Sequence, residues 1–147
     1  MTDFVLDNSV TMRWFMETGN SADQQYADGV MATLAQVDAL VPNLWHLEVC
    51  SVIASSERRG DVDAGQSEGF IAQLANLPIY VDPLTANQAF SRTLGLARNY
   101  NLSSYDAAYL ELAVRERLPL ATLGHALAKA ANKAGVKLYL KETSYGE

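Results

Sequence analysis

The 147-residue chain is 49% apolar and 19% charged, with a net charge of −6. That composition builds one buried core without disulfide or metal staples, excludes wholesale disorder, and argues against a broad basic surface for nucleic acid. The single cysteine, Cys50, excludes an internal disulfide and leaves no zinc-ligand spacing.

From the N-terminus, Phe4-Val-Leu predicts a first strand, with Asp7 at its carboxyl edge and a short turn of helix after it. Helical periodicity then runs from Ser21, read as a cap, to Ala39, and Leu40-Val41 predicts the second strand. Helices follow over Trp45 to Arg59, stopped by Gly60, and over Val62 to Ala75, before a strand at Ile79 to Val81. The remaining pieces are helices from Thr85 to Tyr100 and, after a Ser103 cap, from Ser104 to Arg117. A strand at Leu118 to Thr122, a helix from His125 to Ala134 stopped by Gly135, and a last strand at Val136 to Leu140 complete the chain. Strands alternating with helices predict a single α/β domain over 1–147, with a parallel sheet flanked by helices and a ligand site beyond the carboxyl ends of its strands. No apolar run approaches ~20 residues, and the N-terminus lacks a signal core, so the expected setting is cytoplasmic, without a membrane.

Three carboxylates stand among apolar neighbours or at helix starts, where either a cap or a ligand role fits. Asp7 is equally well a helix cap or a ligand. Glu48 interrupts Leu44-Trp-His-Leu-Glu48-Val-Cys-Ser-Val-Ile53, a stretch whose apolarity predicts a largely buried helix. A carboxylate buried there needs a cation or a proton, unless Ser51 and Ser55 mark a stripe that holds it in water. Asp106 lies three residues after Ser103, the spacing of a capping box, which accounts for an acid in a first turn without any function. Phosphate-binding glycine loops and a G-x-S-x-G nucleophile elbow are absent from the sequence.

Taken in order, Val5-Leu-Asp7-Asn8-Ser9, Pro42-Asn-Leu-Trp-His-Leu-Glu48-Val, Leu102-Ser-Ser-Tyr-Asp106-Ala-Ala-Tyr and Leu120-Ala-Thr122-Leu-Gly-His resemble the PIN-domain ribonucleases. The likeness is strongest to the VapC toxins of type II toxin–antitoxin pairs. It implies a PIN-like three-layer sandwich with a central parallel five-stranded sheet, and acids gathered on Mg²⁺, or Mn²⁺, at the strand carboxyl ends. It further implies hydrolysis of RNA phosphodiester bonds, a cognate antitoxin and a homodimer. The matched acids are Asp7, Glu48 and Asp106, with Asp7 and Asp106 as direct ligands and Glu48 as ligand or base. Asn8, Ser9 and Thr122 are candidates to support the ligands or touch phosphate. Gly124 stands where the family commonly has a fourth acid, which makes a second metal doubtful and leaves a non-cleaving module that binds RNA or protein as the alternative; a housekeeping nuclease without an antitoxin is another. Local positive charge for RNA would come from Arg13, Arg98, Lys129 and Lys133, although Lys129 and Lys133 at i,i+4 also suit a plain solvated face. Trp14, Phe15, Trp45 and Ile53 are candidates to line an antitoxin groove, against the competing expectation that they are core.

Overall fold

The computed structural model describes residues 2–16 and 21–141. Its elements are β1 (Phe4–Leu6), α1 (Asn8–Phe15), α2 (Ser21–Thr33), β2 (Ala39–Val41), α3 (Trp45–Arg58), α4 (Ala64–Ala75), β3 (Ile79–Val81), α5 (Thr85–Gln88), a π-helical segment (Ala89–Thr93), α6 (Leu94–Tyr100), α7 (Ser104–Glu116), β4 (Leu120–Ala121) and α8 (His125–Lys133). The described strands form one parallel sheet in the order β3-β2-β1-β4. Helices flank it, and α7 packs on both β1 and β4.

The central position of β1 follows from its sequence. Phe4, Val5 and Leu6 are all fully buried, as a strand covered on both faces must be, and each contributes about 2 kcal/mol of burial. Val5 pairs with Leu40 on one side and with Leu120 on the other. Asp7, just after β1, and Thr122, just after β4, therefore emerge side by side.

The predicted fifth strand is the main departure in the sheet. Val136 to Leu140 contributes a single parallel bridge, Leu138 to Leu120, leaving four strands. Positive φ at Gly135 (79°) and at Leu140 (60°) brackets the segment and prevents a longer extended run. The helix predicted to reach Ala39 ends at Thr33, and Val37 is buried in a turn rather than on a helix face. Ser21 opens α2, but its side chain lies outside the described residues. Gly60, at φ 78°, is the left-handed stop expected after α3. The short turn predicted after Asp7 is a full eight-residue helix. Among the described residues no helix is long and apolar enough to cross a membrane.

Candidate active site

Asp7 closes β1 and begins α1 as its backbone cap, with extended φ and ψ, yet its side chain makes no cap hydrogen bond. The carboxylate turns instead toward β4. Ser9 Oγ donates to Asp7 Oδ2 at 2.5 Å and Thr122 Oγ1 donates to the same oxygen at 2.8 Å. Backbone amides hold both hydroxyls in place, Leu123 N donating to Ser9 Oγ and Gly124 N to Thr122 Oγ1. Asp7 is only 6% exposed. Burial pushes its carboxyl above the ordinary range, the Ser9 and Thr122 hydroxyls oppose that, and the charge of Asp106 adds to it.

Glu48 stands in the first turn of α3, half-buried. Its helix is not largely buried as predicted: Trp45, Val49 and Ile53 form one inward stripe, while Leu47 is 74% exposed and Cys50 is exposed. Glu48 sits at the edge of that stripe. Tyr109 Oη donates to Glu48 Oε1 at 2.6 Å. Burial raises the Glu48 carboxyl, the Tyr109 bond lowers it, and the charges of Asp7 and Asp106 raise it again.

Asp106 is half-buried in the first turn of α7. The capping expectation holds in one half only: Ser103 Oγ accepts from the Asp106 backbone amide at 3.1 Å. The bond uses the backbone of Asp106, so its carboxylate is not the group that secures the cap. Burial raises this carboxyl too.

Three acids from three separate helix starts are thus coupled through space: Asp106 raises the cost of charging Asp7 and Glu48, and Asp7 that of Glu48. Such an arrangement is relieved by a proton or by a cation. Among the described residues no three His, Cys, Asp or Glu side chains stand in ready chelating geometry. The donor set is nevertheless all oxygen and all acidic, and only one oxygen of Glu48 is bound by Tyr109. This suits a hard divalent cation that keeps several waters and needs one or two protein carboxylates.

Ser9 and Thr122 are brought to Asp7 as expected, and their hydroxyls are spent on orienting it. Asn8 Oδ1 is buried beside them in sequence with no protein partner among the described residues. Gly124, the N-cap of α8, carries no acid but has ordinary extended backbone (φ −78°) and lies two residues after Thr122. Of the basic candidates, Arg13 is paired with Asp23 at 3.3 Å. Arg98 on α6 is exposed, as are Lys129 and Lys133 on α8, about one and two turns beyond His125. Sequence reasoning missed Tyr109, whose signal was its position one helical turn after Asp106.

The four aromatic and aliphatic candidates divide. Trp14 Nε1 donates to the Ala27 carbonyl and Phe15 packs on Phe70, so both are interior packing groups. Trp45 and Ile53 are buried, yet with Val49, Ile71 and Leu74 they line an apolar groove of about 340 Å³ between α3 and α4.

No family model and no curated protein matches the chain. Solved structures do. PAE2754 from Pyrobaculum aerophilum is similar over 88% of this chain and 87% of its own, at 21% identity and a TM-score of 0.63. VapBC2 from Rickettsia felis, bound to a DNA fragment from their promoter, is similar over 94% of this chain and 97% of its own, at 12% identity and a TM-score of 0.64.

Proposed function

We propose that this chain, which carries the VapC-like PIN fold, is a divalent-cation-dependent endoribonuclease and the toxin of a type II toxin–antitoxin pair, acting in the cytoplasm. The observation that carries the nuclease reading is the gathering of three acids at helix starts, where the charge of Asp106 bears on Asp7 and Glu48 and that of Asp7 bears on Glu48. Asp7 and Asp106 would hold Mg²⁺ or Mn²⁺, with Glu48 beside them. When bound, the cation neutralises charge developing on the phosphate and acidifies water.

The protein's own part is orientation and proton handling. Ser9 and Thr122 both hold Oδ2 of the Asp7 carboxylate, so its position is set before substrate arrives. Glu48, whose carboxyl is raised above its ordinary value by burial, is suited to take the proton of the attacking water. The net charge of −6 confines RNA attraction to local positive groups, for which exposed Arg98, Lys129 and Lys133 are the candidates. Single-stranded or looped RNA, whose bases and backbone are not locked in a duplex, is the expected substrate.

The likeness to the VapBC2 complex supports an antitoxin partner, and the groove between α3 and α4 suits an apolar helix from it. A homodimer belongs to the same reading. Cleavage of RNA by the purified chain with Mg²⁺ and with a chelator tests the nuclease reading; co-purification from the native host tests the partner. The missing acid at Gly124 favours the second reading, a module that binds RNA without cutting it, and the same assay separates the two.

A further inference from the structure

The groups that surround Glu48 include one that neither the acids nor the hydroxyls on Asp7 account for. Tyr109 is completely buried on α7, one turn after Asp106. Its hydroxyl donates to Glu48 Oε1 at 2.6 Å. The bond ties α7 to α3, two of the three helices that begin at the site.

We propose that Tyr109 is the positioning residue for Glu48: its phenol fixes Oε1 and leaves Oε2 the oxygen with which Glu48 would help Asp7 and Asp106 hold the cation. The inference rests on the nuclease reading above. Without the phenol, Glu48 is a half-exposed side chain with several rotamers, free to swing into solvent. With it, the carboxylate is held by a short bond to a buried donor that keeps its proton at any working pH. Burial, the charge of Asp7 and the bond to Glu48 all push the phenol above its ordinary value.

The test is calorimetry of Mn²⁺ binding to the full chain for the wild type, Tyr109→Phe, Glu48→Gln and the double variant, with RNA cleavage kinetics alongside. Tyr109→Phe is expected to weaken Mn²⁺ about 10-fold and to lower kcat more than it changes KM. The double variant should bind no more weakly than Glu48→Gln alone, because Tyr109 acts only through Glu48. A Phe variant with wild-type affinity, or losses that simply add in the double variant, overturns the proposal and leaves the nuclease reading intact. A wild type that binds no Mn²⁺ overturns both. If thermal unfolding shows the Phe variant unfolded, the wild-type hydroxyl proton of Tyr109 is followed by NMR during a Mg²⁺ titration. A resonance that moves with Mg²⁺ supports the proposal, and one that does not move overturns it.

Discussion

Thr122 Oγ1 donates to Asp7 Oδ2 at 2.8 Å although the two residues are 115 apart in sequence. The parallel pairing of β1 with β4 makes this contact, since each residue follows the last paired position of its strand. Thr122→Val keeps the shape and deletes the hydroxyl. It removes one donor from a buried carboxylate and leaves the Gly124 amide without its acceptor. The expected cost is about 1 kcal/mol of stability and about a 10-fold loss of cation affinity. Urea unfolding and calorimetry measure the two; unchanged affinity would detach Thr122 from the cation site.

The raised carboxyls predict a direction of pH dependence. Asp7, Glu48 and Asp106 all lie above their ordinary values of 3.8, 4.5 and 3.8. Between the ordinary and raised values the folded protein holds protons that the unfolded chain has lost, so stability falls as pH rises through that window. Other ionisable groups also contribute, so the informative quantity is the difference between wild type and Asp7→Asn. Denaturation midpoints across the acid range should fall more steeply with pH for the wild type, and saturating Mg²⁺ should flatten that slope. Equal slopes would contradict a raised Asp7 carboxyl.

Gly124→Asp tests the fourth-acid position. A Cβ there meets only ordinary contacts, 3.5 Å to Thr122 Oγ1 and 3.9 Å to Leu127 Cβ, and φ is negative. The variant should therefore fold, with Asp as a good N-cap for α8, and an added anionic oxygen should tighten Mg²⁺ several-fold. A folded variant with unchanged affinity for both Mg²⁺ and Mn²⁺ would mean that position 124 does not face the site.

Away from the site, Arg115 bridges Asp82 and Glu111 through paired contacts of 2.7 to 3.0 Å. Asp82 and Glu111 are both buried, so Arg115→Met strands two carboxylates and should cost about 3–5 kcal/mol. Cleavage per folded molecule should be unaffected. A variant of wild-type stability would show the network to be dispensable.

Much of this was legible because it depends on local pattern. Phe4-Val-Leu reads as a strand buried on both faces, and Ser103 and Gly135 mark their helix ends. The end of α2 was not legible: Leu34 and Val37 continue an apolar period that the turn also buries, and neither Gly nor Pro marks the stop. The Asp63–Gln66 capping box gives α4 its start two residues later than predicted. The π-helical segment inside the predicted Thr85–Tyr100 helix has no signature in composition. At the site, the acids stand out by their apolar neighbours. Tyr109 does not, because an aromatic residue on a buried helix face is ordinarily core and only tertiary packing brings Glu48 to it.

On the proposed function the Asp106 carboxylate serves a cation and not the helix cap, and one substitution decides it. Asp106→Asn keeps the backbone amide that Ser103 Oγ caps, so the variant should unfold at nearly the wild-type temperature. Its Mg²⁺-dependent cleavage of RNA should fall by about 100-fold, with the wild type active in Mg²⁺ and inactive in chelator. A folded Asp106→Asn protein that cleaves RNA at the wild-type rate in Mg²⁺ would contradict a cation role for Asp106.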